Sequence, residues 1–84
     1  MTLLANWLNL ATPAEREELA QFAQTSVNYL YQLAGCHTKN PGVMLAWRLS
    51  LGTLTANRKN PELPYISLEA LAKMCMKDEA ENVG

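Results

Sequence analysis

Acidic residues are missing from the middle of this 84-residue chain: residues 19–61 contain no Asp or Glu, although the whole sequence carries a net charge of −1. The acids lie towards the ends. Glu15, Glu17 and Glu18 face only Arg16 near the start, and Glu62, Glu69, Asp78, Glu79 and Glu81 outnumber Lys73 and Lys77 near the end. The middle holds Lys39, Arg48, Arg58, Lys59 and His37. Such a distribution suits a phosphate footprint, and it suits chance equally well in a chain with only 18% charged residues. Long apolar runs are lacking too. No segment reaches the roughly 18 consecutive apolar residues of a membrane span, so no membrane partner is expected. Met1-Thr2-Leu3-Leu4 lacks the basic start of a secretory signal, and no small-residue cleavage site follows. A cytoplasmic location is expected on that basis, with Cys36 and Cys75 as free thiols.

Catalytic and metal-binding patterns are also absent. There is no Gly-rich phosphate loop and no nucleophile elbow. Cys36-His37 and the distant Cys75 lack paired metal spacing. Glu15, Glu17 and Glu18 read as a cluster at a helix start rather than a catalytic carboxylate pair. His37, the single histidine, reads as a solvent or phosphate contact. Neither an enzyme nor a cofactor nor a small-molecule substrate is expected.

About half of the residues (49%) are apolar, which is enough for one globular domain, and Gly and Pro are few and punctual. Residues 1–76 read as a single domain and 77–84 as a polar, fraying tail. Leu3, Leu4, Trp7, Leu8 and Leu10 recur at helical spacing. Thr12-Pro13-Ala14-Glu15 is a capping box with proline at the first helical position. The helix it opens, with Leu19, Phe22 and Ala23 as its stripe, is expected to reach Ala23 or Gln24. Thr25 or Ser26 then caps a helix starting near Val27, with Leu30, Leu33 and Ala34 inward and Gly35 as a left-handed C′ residue. Asn40-Pro41 opens a fourth helix whose apolar side is Val43, Met44, Ala46, Trp47 and Leu51, ending near Gly52. Residues 53–64, with Asn57, Asn60-Pro61 and Pro64, read as a loop. Ser67 opens a last helix with Leu68, Leu71, Ala72 and Cys75 as its stripe. No alternating strand pattern occurs, so the fold class is all-α.

The informative stretch is Arg16 to Gly35, two short helices joined by a tight turn. A helix-turn-helix needs a small residue inside its first helix and apolar anchors at fixed places in both. Ala20 is that small residue, and Leu19, Ala23, Leu30 and Leu33 are the anchors. Ser26, Val27, Asn28, Tyr31 and Gln32 then project from the start and outer side of the second helix, where base edges are met in the major groove. Asn28 and Gln32 are four residues apart on one face, and both are amides, the side-chain type that bonds adenine bidentately. Val27 fits either a thymine methyl or the core. Tyr29 fits either the DNA backbone or packing on the first helices. Thr25, Thr38, Lys39 and Asn40 are the other backbone candidates, while Arg48, Arg58 and Lys59 stay open between phosphate contact and solvated charge.

The run LAQFAQTSVNYLYQLAGCHTKNP resembles the lambda-repressor-like and Cro-like helix-turn-helix domains of phages. Gly35, Lys39, Pro41 and the apolar segment to Leu51 resemble the part that packs on the motif in those domains. TSVNYLYQLAG is similar to the small YdaS-type prophage regulators. The resemblance spans residues 12–52. At the turn, those domains usually carry Gly where this chain has Gln24, a site favouring positive φ. The resemblance implies a compact five-helix DNA-binding domain that acts in a bacterial host cytoplasm or nucleoid as a dimer on a palindromic operator. A Cro-like repressor is the expected function. The alternative is a protein-interaction module, antirepressor or antitoxin-like, that keeps the fold without binding DNA. Trp47, Leu51, Leu54, Leu63, Tyr65, Ile66 and Met74 either close the core or supply a homodimer contact within residues 54–76.

Overall fold

The computed structural model describes residues 2–37 and 41–75. Among them the chain forms five α-helices and no strand: α1 (Leu3–Leu10), α2 (Pro13–Phe22), α3 (Val27–Ala34), α4 (Val43–Lys59) and α5 (Leu68–Lys73). The all-α expectation holds. Thr2, Thr12, Ser26 and Ser67 each stand at a helix start and accept a backbone N–H with the side-chain oxygen. Thr12 and Glu15 form the full reciprocal box, with Glu15 Oε1 accepting the Thr12 N–H at 2.8 Å.

One core joins all five helices. Leu4, Trp7 and Leu8 of α1, Leu19 and Ala20 of α2, Leu30 and Leu33 of α3, Ala46 and Leu49 of α4, and Leu71 of α5 are buried in it. Leu63 and Ile66, from the segment between α4 and α5, complete it. The indole Nε1 of Trp7 is buried there without a hydrogen-bond partner.

Several details of the sequence reading are corrected. α4 starts at Val43 after Gly42, two residues later than Asn40-Pro41 implies, and without a side-chain cap. It runs through Gly52 to Lys59, so residues 53–59 are helix rather than loop. The polar residues there are satisfied in place. Thr53 Oγ1 donates to the Ser50 carbonyl at 2.9 Å, Thr55 Oγ1 donates to the Leu51 carbonyl at 3.0 Å, and Asn57 Nδ2 reaches the Leu63 carbonyl at 2.8 Å. Gly52 is the point of closest approach to α2: a Cβ there would lie 2.5 Å from Leu19 Cδ1 and 3.2 Å from Phe22 Cδ1. The helix ends at Asn60 (φ −138°, ψ 97°), extended because Pro61 follows.

The buried face of α4 is Ala46, Leu49, Ser50, Gly52 and Thr53. Of the expected apolar side only Ala46 is inside; Val43, Met44, Trp47 and Leu51 are exposed, as are Phe22 on α2 and Leu68 and Ala72 on α5. Gly52 lets α2 and α4 approach closely, and of the bulky α4 side chains Leu49 is the one fully buried. Finally, Cys36 and Cys75 are not free thiols. They form a disulfide with Cα atoms 5.4 Å apart, because the ends of α3 and α5 meet.

Candidate functional site

The segment from α2 to α3 is held by two matching helix ends. At the end of α2, the Thr25 N–H bonds the Ala20 carbonyl at 2.9 Å and the Gln24 N–H bonds the Gln21 carbonyl at 3.0 Å. Gln24, with φ 61°, supplies the left-handed residue this closure requires. At the end of α3, the His37 N–H bonds the Gln32 carbonyl and the Cys36 N–H bonds the Leu33 carbonyl, both at 3.0 Å. The left-handed residue is Cys36 (φ 58°), and Gly35 has φ −86°. This corrects the expectation that Gly35 takes the left-handed place. Gly35 comes one residue earlier, as the C-cap.

Four separate ties position α3. Leu30, Leu33 and Ala34 are buried in the core. Ser26 Oγ accepts the Tyr29 N–H at 3.1 Å. Thr2 Oγ1 donates to the Ala34 carbonyl at 2.8 Å, linking the start of α1 to the end of α3. The Cys36–Cys75 bond secures the residue beyond it. The sequence reading missed Thr2 and the disulfide. A cap-forming Thr next to the first helix was a visible signal, but its carbonyl partner lies 32 residues away.

With its inner side fixed, α3 presents Asn28, Tyr31 and Gln32 to solvent, together with Ser26 at its start. The Ser26 oxygen is engaged in capping. Val27 and Tyr29 are half-buried and pack against the core, and Thr25 is half-buried in the turn. Thr38, Lys39 and Asn40 lie outside the described residues. The outer side of α3 therefore offers two amides, each with a donor and an acceptor, beside a phenol, and α3 itself carries no charged residue.

The charges around this site are arranged differently from their order in the sequence. Lys59 pairs with Glu18 at 3.7 Å across α4 and α2, both side chains well exposed. Arg16 Nε donates to the Leu8 carbonyl at 2.8 Å. The acid-free stretch thus folds beside acids from α2. Arg48 is half-buried and Arg58 exposed, both on α4. Glu15 holds its carboxyl below the usual carboxylate range, first through the Thr12 N–H and then through the Asn60 amide, whose Nδ2 lies 3.2 Å from Glu15 Oε2. A cleft of about 180 Å³ opens between α2 and α4, lined by Glu15, Glu18, Leu19, Phe22, Gly52 and Lys59 among others.

The chain matches no family model, no curated protein and no solved structure.

Proposed function

We propose that this chain is a sequence-specific double-stranded DNA-binding regulator of the Cro-like kind, in which α2, the turn at Gln24 and α3 act as a helix-turn-helix. The observation that carries the reading is the two-sidedness of α3. Asn28 and Gln32 stand exposed on one side, while Leu30 and Leu33 are fully buried on the other. The positive φ of Gln24 supports it, since this is the site where the resembling domains usually carry Gly. In this reading Asn28 and Gln32 contact base edges in the major groove. Ser26 and Tyr31 contact bases or backbone at its margin, and Lys39 supplies a phosphate contact. Because α3 is uncharged, one copy binds weakly, and the functional unit is a homodimer on a palindromic site with half-sites about one helical turn apart.

The test is enrichment of a random duplex library on the purified chain, followed by gel shifts on the enriched sequence. Asn28→Ala and Gln32→Ala are expected to cost about 1–3 kcal/mol of discrimination at single base pairs. Lys39→Ala is expected to weaken all duplexes alike and to lower the salt slope by about one. If no duplex is enriched above non-specific binding, the DNA reading fails. The second reading, a protein-interaction module, is favoured by the acidic overall balance and by the exposed apolar side of α4. Failure of the library to enrich would move the weight to it.

A further inference from the structure

α4 is the longest helix, and its outward side is apolar. Val43 (76% exposed), Met44, Trp47 (51%) and Leu51 (42%) lie within about 100° of arc on the helix, with the half-buried Leu54 continuing the same side one turn on. The spacing 44, 47, 51, 54 is the repeat of a helix that packs lengthwise against another helix. Tyr65, half exposed, flanks the stripe: its ring is held against α4 by a 3.2 Å hydrogen bond between Ser50 Oγ and the Tyr65 hydroxyl. Leu68, three residues further, is exposed as well. Monomers seldom leave such a run uncovered.

We propose that this face is the homodimer interface, with α4 of one protomer lying antiparallel against α4 of its partner across a two-fold axis. The charge pattern is compatible with a second copy as the occupant. From Val43 to Ala56, Arg48 is the single charged residue, and it lies beside the stripe rather than on it, so the face meets its own image without like-charge conflict. Charge selects the orientation. Arg58 and Lys59 stand in the last turn of α4, and no charged residue stands in the first. Antiparallel pairing sets that cationic end beside the partner's uncharged first turn, and it aligns the helix dipoles favourably, whereas parallel pairing stacks cation on cation. Residues 76–84, MKDEAENVG, are too polar to be a good cover for this face. Area is consistent with a dimer: side chains of this size, about half exposed, present roughly 500 Å² together, most of the approximately 800 Å² per partner of a standard interface once a polar rim is added. Of the residues expected either to close the core or to supply the contact, Leu63 and Ile66 are core, and the proposed contact is centred on α4.

This inference deepens the dimeric regulator proposed above and rests on it for the identity of the second copy, but its test needs no DNA. Sedimentation equilibrium of the full chain is expected to give a concentration-dependent dimer. Trp47→Glu is expected to raise the dimer dissociation constant about 30-fold or more, as for a central anchor. Leu51→Glu, at an exposed position in the middle of the stripe, is expected to weaken the dimer while leaving helicity and melting of the monomer unchanged, which separates loss of pairing from misfolding. Leu10→Glu, at an equally exposed residue of α1, is expected to leave the dimer intact. Trp7 is fully buried within the protomer, so a change of tryptophan emission on dilution reports Trp47 and is expected to vanish in Trp47→Phe. A wild-type chain that stays monomeric at the highest soluble concentration overturns the proposal. A dimer that survives both glutamate variants overturns it too. If dimers form through α4 and no duplex is enriched, the interface stands and the DNA reading fails; if duplexes are enriched by a monomer, the reverse holds.

Discussion

At the residue scale, the α2–α3 turn depends on one amino acid holding a conformation it does not favour. A left-handed L-residue costs about 1–2 kcal/mol, and Gln24 accepts this because the hydrogen bonds of Gln24 and Thr25 close the end of α2. Glycine adopts the same φ without the steric cost, at a smaller entropic one. Gln24→Gly is therefore expected to stabilise the fold by about 0.5–1 kcal/mol, a rise of a few degrees in Tm. A thermal melt showing a lower Tm would mean that the Gln24 side chain contributes more than its backbone strain costs. The special backbone at this position was legible because the domains that the sequence resembles usually carry Gly there. Cys36 was not legible. Gly35 beside it is the residue local preference selects, and only the register of α3 against α1 and the core moves the left-handed site one residue on.

At the element scale, α4 shows how packing overrides local signals. Gly52 reads as a helix ending and Asn57 as part of a loop, yet Thr53, Thr55 and Asn57 find partners on the helix or on residues 63–66, and Gly52 packs against α2. Thr53, fully buried, also accepts the Ile66 N–H at 3.1 Å and so pins the following segment. The apolar pattern of α4 was equally misleading, because amphipathic reasoning assigns the bulky side to the core. Here the core side is Ala46, Leu49, Ser50, Gly52 and Thr53, and the fact that decides it, the approach of α2 at Gly52, is tertiary. Gly52→Ala tests this directly. In an ordinary helix interior the change stabilises, through helix propensity. Here the added methyl meets Leu19 and Phe22, and overpacking is expected to cost about 1–3 kcal/mol, read as a lower midpoint in urea. The start of α2, by contrast, was legible in full, since a capping box is a local device. Its acid gives a pH prediction. The Glu15 carboxyl is held low by the Thr12 N–H and the Asn60 amide. Its contribution is thus fully present above the unfolded-state value and is lost as pH falls through the lower folded value. Glu15→Gln is expected to flatten the acid limb of the stability profile and to leave its alkaline limb unchanged. An unaltered acid limb would show that Glu15 is not coupled to folding.

At the scale of the whole molecule, the exposed side of α3 was legible and the closure of the chain was not. Periodicity alone separates Leu30 and Leu33 from Asn28 and Gln32, because a helix fixes which residues share a face. Nothing local pairs Cys36 with Cys75, which are 39 positions apart and meet only after α3 and α5 have docked. The length of that loop sets its consequence. Closing a loop of this size in the unfolded chain is expected to contribute about 4 kcal/mol to stability, a large share of the total for a domain this small. A reductant is therefore expected to lower the Tm of the wild type by more than about 10 °C. Cys36→Ser is expected to melt at the reduced wild-type temperature and to be indifferent to reductant. The decrease should also have a local component, because the bond follows directly on α3. Amide exchange at Leu33 and Ala34 is expected to accelerate on reduction more than exchange in α2, whose ends are closed by its own caps. If exchange rises uniformly across α2 and α3, the disulfide acts on the unfolded chain alone and gives α3 no support of its own.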